Sequence, residues 1–150
     1  MKMIKLIPVI ALTVLLASCG AKNAQEFNNK LVTAQKSLME EVNKMKMDTA
    51  DALIKLQRVQ DVTKTKLKEI TDLKAPDGGD AFKKAMMNDF QGIIDSYAIL
   101  IQMVKEKDNA DQQAVLKDKL SDWQTKIEVL DRSVIDEQKK FADKYNIKLQ

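Results

Sequence analysis

The sequence predicts an all-α protein, an antiparallel up-down four-helix bundle placed after a cleaved leader. Three observations predict it. Apolar residues recur at three-four spacing in four successive segments, which puts them on one face of a helix each time. Helix-breaking residues are few, with four Gly and two Pro in 150 residues, and where they cluster they fall between those segments. Between the segments there is no run rich in β-branched and aromatic residues that would read as a strand.

The first segment carries Phe27, Leu31, Ala34, Leu38, Val42 and Met45, and predicts a helix over residues 24–46. The second carries Ala52, Leu56, Val59, Leu67, Ile70 and Leu73, and predicts a helix over 49–74. A single helix from 24 to 73 would run ~75 Å at 1.5 Å per residue, more than the later helices could cover. Met47-Asp48-Thr49 supplies a stop, with Asp51 three residues beyond Asp48 in capping-box position. Next comes Ala75-Pro76-Asp77-Gly78-Gly79-Asp80, where proline disfavours helix in the residue before it and two glycines supply turn conformations. Phe82, Met86, Phe90, Ile93, Tyr97, Leu100 and Val104 then mark a third helix over 80–107. After Asp108, Asn109 and Gln112 read as cap and partner for a fourth helix over 110–145. Its stripe, Leu116, Leu120, Trp123, Ile127, Leu130, Val134, Phe141 and Tyr145, keeps heptad spacing and is broken only at Gln138.

On the outward faces an acid precedes a base by four residues seven times: Glu26/Lys30, Glu40/Lys44, Asp51/Lys55, Asp80/Lys84, Asp122/Lys126, Glu128/Arg132 and Asp136/Lys140. Each such pair adds only about 0.2 to 0.5 kcal/mol to a helix, so these mark solvated faces. Four amphipathic helices with short connections close most simply as an up-down bundle.

The chain opens MKMIKLIPVIALTVLLAS, a short basic start (Lys2, Lys5) followed by an apolar stretch from Leu6 to Leu16 and small residues. That is a secretory signal layout. The apolar stretch falls short of the ~20 residues that span a bilayer as a helix, so cleavage is the expected fate. Leu16-Ala17-Ser18-Cys19 resembles the bacterial lipobox, the cleavage signature of exported lipoproteins. The resemblance implies cleavage between Ser18 and Cys19 and a covalent lipid on Cys19, the only cysteine. It also implies a leader over 1–18, a lipidated tether over 19–24 and a bundle domain over 25–150. Two or three acyl chains hold a protein on a membrane without any protein span. By the same resemblance, Gly20-Ala21-Lys22-Asn23 carries neither an aspartate directly after the cysteine nor an acidic cluster, which implies an outer-membrane address on the periplasmic side, with the cell surface as the alternative.

Removing eighteen residues from 150 leaves 132, a normal size for one domain with a real core. The 25 basic residues lose Lys2 and Lys5, leaving 23 against 22 acidic ones, evenly interleaved. Such a chain offers no electrostatic footprint for nucleic acid. One cysteine permits no internal disulfide, so packing must supply the stability.

Phe27-Asn28-Asn29-Lys30-Leu31-Val32 with Gln35, Leu73-Lys74-Ala75-Pro76-Asp77-Gly78 leading to Phe82-Lys83-Lys84-Ala85, and the closing Lys140-Phe141-Ala142-Asp143-Lys144-Tyr145-Asn146-Ile147 resemble a family of small helical surface lipoproteins of diderm bacteria. The resemblance implies a helical fold and a lipoprotein address, and implies no catalytic or binding residue.

There are no histidines. This removes Ser-His-Asp and Cys-His nucleophile pairs, His-ligated zinc or haem, and the Glu-x-x-His pattern of di-iron bundles. Glu40, Glu41, Asp48 and Asp51 could pair carboxylates for glycoside hydrolysis, yet they stand among lysines at a wet helix end. Asp77-Gly78-Gly79-Asp80 offers oxygens to a hard cation but lacks the alternating acids of an EF-hand loop, and a turn explains it as well. Met39, Met45, Met47, Met86, Met87 and Met103 could offer thioethers to Cu(I), but neighbouring positions diverge on a helix, and core filling is the better account. Phe90, Tyr97 and Trp123 could line an apolar pocket if Gly92, Ala98 and Ala52 left a void beside them. The expectation is therefore a non-catalytic envelope lipoprotein with no cofactor or metal, anchored to the membrane and acting as a protein-interaction or structural module. The alternative is a bundle that binds a small apolar ligand in its core.

Overall fold

The computed structural model describes the backbone of residues 8–44 and 51–149, and the side chains from residue 20 onward within those ranges. Residues 1–7 of the leader and the expected Asp48 cap, with Met45 and Met47, lie outside the described residues. Four helices are present: α1 (Pro8–Lys44), α2 (Ala52–Asp72), α3 (Asp80–Lys105) and α4 (Ala110–Tyr145). Among the described residues there is no strand.

Cross-chain contacts fix the directions. Arg58 meets Glu41 at 3.1 Å, Gln60 Nε2 donates to Ile94 O, Gln113 Nε2 donates to Met103 O, and Gln138 Nε2 donates to Asn28 Oδ1. In the first three an early residue of one helix faces a late residue of its neighbour, and late in α4 Gln138 meets α1 shortly after Ala24, where α1 enters the core, so the helices run up, down, up and down. The predicted antiparallel four-helix bundle is the architecture found. Helix α3 packs most extensively, on α2 and on α4, while α1 makes sparser contacts with α2 and α4.

The core follows the predicted stripes. Phe27, Leu31, Ala34 and Leu38 of α1 meet Val59 and Ile70 of α2, Phe82, Met86 and Phe90 of α3, and Val134 and Phe141 of α4. At one end three rings interlock: Phe27 stands edge to face with Phe82 at 6.3 Å and with Phe141 at 5.5 Å, while Phe82 and Phe141 are tilted by 35° at 5.9 Å. Edge-to-face rings align the positive edge of one with the negative face of the next, which adds to their burial. The gap in the α2 stripe between Val59 and Leu67 is filled by Thr63, fully buried because its hydroxyl donates to Val59 O at 2.7 Å.

Loop chemistry matches its residues. In the turn after α2, Gly79 N–H donates to Pro76 O at 2.8 Å and Gly78 takes φ +75°, the left-handed value required at the third position of a type II turn. Lys83 reaches back from α3 to cap α2, donating to Thr71 O and Leu73 O at 2.7 Å each. At the start of α4 the Asn109 side chain accepts from Gln112 N–H, as predicted. The reciprocal half of the capping box does not form, because Asn109 N–H donates to Glu106 O instead. Asn146 ends α4 in the left-handed region at φ 54°, and Ile147 N–H donates back to Ala142 O, a Schellman closure that tucks Ile147 into the core.

The backbone is helical through residues 19–24, and Ala24 is in the core. Two expectations are corrected. Two of the expected acid–base pairs take other partners: Lys44 meets Glu41 and Lys140 meets Glu137, each three residues away. Lys126 lies 4.1 Å over the Trp123 ring. Finally, the second half of the α3 stripe rotates: Ile94, Ile99 and Ile101 are buried, while Ile93, Tyr97, Leu100 and Val104 are half-buried. Helix α3 is clasped by two neighbours, so two of its faces lose water there.

Candidate functional site

Two features of the bundle carry polar chemistry away from solvent or hold it open between helices. The first is a carboxyl pair. Asp89 lies seven residues after Phe82 and three after Met86, on the inward face of α3, and it is 1% exposed. Its Oδ1 has no hydrogen-bond partner. The charged group that acts on it is Asp131 of α4, which is itself exposed. Burial first, and then the negative charge of Asp131, push the Asp89 carboxyl up to about 7. Asp89 is absent from the sequence-derived candidates, although its register with Phe82, Met86 and Ile93 is the signal that could have found it.

The second feature is the groove between α1 and α4, of about 640 Å³. A chain of carboxamides lies along it. Gln138 donates to Asn28 Oδ1 at 3.1 Å, and Gln25 and Asn28 both donate to Asn29 Oδ1, at 3.0 and 3.5 Å. Val32, Met39 and Leu149 add apolar surface. Met39 and Leu149 are exposed large hydrophobics, as is Ile135, three residues from Gln138 on α4. Carboxamides donate and accept at once, so such a lining can match the alternating donors and acceptors of a peptide backbone.

Compared with protein-family models, curated proteins and solved structures, the chain matches none.

The sequence-derived candidates are dispersed. Phe90 is fully buried in the core, Tyr97 is half-buried, and Trp123 lies under Lys126. Among the described residues no ring contact joins these three. The space beside Gly92 is taken: a Cβ built there would meet Leu130 Cδ1 at 2.7 Å and Trp123 at 3.6 Å. The glycine permits close approach of α3 and α4 and leaves no void at that point. Ala98 is exposed.

The loop acids are occupied. Lys144 donates to Asp77 Oδ2 at 2.7 Å and holds the Asp77 carboxyl below its ordinary range, while Tyr145 donates to Asp77 O. Asp80 begins α3, where the helix dipole favours an acid. Glu41 is bridged by Lys44 and Arg58, and the hydrogen bond from Lys44 leads in lowering its carboxyl. Of the methionines, Met86 is wholly buried, Met87 packs beside the core and Met39 is exposed, so they diverge as helix geometry requires. Among the described residues no group of three or more His, Cys, Asp or Glu could hold a metal. No described helix is long and apolar enough to cross a membrane.

Proposed function

We propose that the protein is a lipid-anchored, non-catalytic envelope protein whose bundle acts as a protein-interaction module. The supporting observation is the juxtaposition of Cys19, at the end of a lipobox-like run, with Ala24, which is 0% exposed in the core. Five residues span about 7.5 Å as helix and no more than about 18 Å extended. An acyl group on Cys19 therefore holds the Phe27 end of the bundle close to the lipid and directs the Glu106–Asn109 turn away from it.

The α1–α4 groove is the surface this reading offers to a partner, because its carboxamides and exposed Met39 and Leu149 line α1, Gln138 of α4 and the segment after α4, where α1 and α4 touch sparsely. Metabolic labelling with palmitate tests the anchor. Incorporation into the parent and none into Cys19→Ala is the expected result, and equal labelling of both would remove the lipoprotein reading. Photo-crosslinkers placed at Val32 and at Lys117 in the labelled protein test the surface. Defined adducts at Val32 in the envelope fraction are expected, and adducts only at Lys117 would move the interface off the groove.

A further inference from the structure

Asp89 is the only acidic or basic side chain buried among the described residues. An ionised carboxylate in that position loses its hydration, and in proteins such a charge costs several kcal/mol unless it is paired. Among the described residues the charge that acts on it is that of Asp131 of α4, another acid, and no cation pairs with it. What the site lacks in positive charge, a proton must supply.

We propose that Asp89 and Asp131 form a proton-operated latch between α3 and α4, closed while the pair shares one proton and loosened when that proton leaves. In the closed form the Asp89 hydroxyl donates to the Asp131 carboxylate, and Oδ1 remains as a neutral acceptor without a donor. A neutral acceptor left unsatisfied is far cheaper to bury than an anion. In the loosened form two negative charges face each other across the seam, and Asp89 gains water only if α4 moves off α3. The latch is well placed to be felt, since Met86 and Phe90 on one side and Val134 on the other belong to the core that Leu31, Ala34 and Leu38 of α1 complete.

The sign follows from linkage. The folded-state carboxyl is held up at about 7, above its ordinary unfolded value near 3.9. Stability is therefore full below the unfolded value, falls as pH rises between the two, and levels above about 7. Thermal unfolding of the full chain from about pH 5 to about pH 8, followed by circular dichroism, measures this. In the parent the midpoint falls with rising pH and then levels. Asp89→Asn keeps a donor for Asp131 and cannot ionise, so its midpoint stays level and exceeds that of the parent at the alkaline end. Asp131→Asn shows a shallower fall. Amides of α4 around Asp131 exchange faster in the parent than in Asp89→Asn at the same alkaline pH.

A parent profile without the fall, or Asp89→Asn following the parent slope, overturns the proposal. So does a rise in the alkaline midpoint on adding calcium chloride that Asp89→Asn abolishes, since the pair would then hold a cation. Carbon NMR of the Asp89 carboxyl in the parent decides the matter even if the variants fail to fold: a midpoint near 7 supports the latch, and one in the ordinary carboxylate range removes it.

Discussion

Lys144 and Asp77 are 67 positions apart in the chain and 2.7 Å apart in space, and the next residue, Tyr145, donates its hydroxyl to the carbonyl of the same aspartate. The last turn of α4 thus clamps the α2–α3 turn, directly above the ring cluster of Phe27, Phe82 and Phe141. The ion pair is exposed and salt screens it. Tyr145→Phe deletes one hydrogen bond and is expected to cost about 0.5 to 1.5 kcal/mol in urea unfolding. The Asp77 carboxyl is lowered by Lys144, so the contribution of the pair is present above the ordinary carboxyl value and disappears as pH falls through the lowered one. Asp77→Asn should therefore flatten the acid limb of a stability profile, and high salt should blunt the difference.

The ring cluster itself gives a larger effect. Phe27 is the residue through which α1 enters the shared core at this end, and it touches rings of both α3 and α4. Phe27→Ala removes a buried ring that neighbouring helices cannot fully collapse around, an expected loss of about 3 to 5 kcal/mol. Because α1 packs sparsely elsewhere, amide exchange should show α1 losing protection ahead of α3.

Gly92 separates two effects that usually travel together. Alanine there gains helix propensity of about 1 kcal/mol but pushes on the tip of Leu130, so Gly92→Ala is expected near neutral. Leucine has no such escape, since Leu130, Trp123 and Ile127 already fill the space, and overpacking costs about 1 to 3 kcal/mol. The single tryptophan reports it directly: emission from Trp123 should shift to the red in Gly92→Leu and stay unchanged in Gly92→Ala.

How much of this could be read beforehand depends on what each residue needs. The stripes of α1 and α4 were legible because side chains such as Phe27, Leu31, Val134 and Phe141 are buried by helix period alone. The α3 stripe drifted after Phe90, since periodicity describes a helix with one buried face and α3 has two. The turn at Gly78 was legible from its residue types, but that Lys144 would close over it was not, because partners 67 positions apart leave no local trace. Asp89 stood in plain view at a core register, and only the packing of α4 shows that its neighbour is another acid.

Gln138 gives the sharpest test of the polar seam. It interrupts the apolar heptad of α4, and the structure assigns it a partner in Asn28, which is 6% exposed on α1. Gln138→Leu restores the heptad and so should stabilise α4 if the interruption were idle. The hydrogen bond predicts the reverse: a buried Asn28 Oδ1 left without its donor costs about 1 to 3 kcal/mol, more than the gained apolar area returns on a half-exposed position. Replacing both residues by leucine removes donor and acceptor together, which is near neutral or stabilising. The double variant should therefore recover at least the loss of the single one. A double-mutant cycle by urea unfolding checks this, and additive losses would mean the two carboxamides act independently.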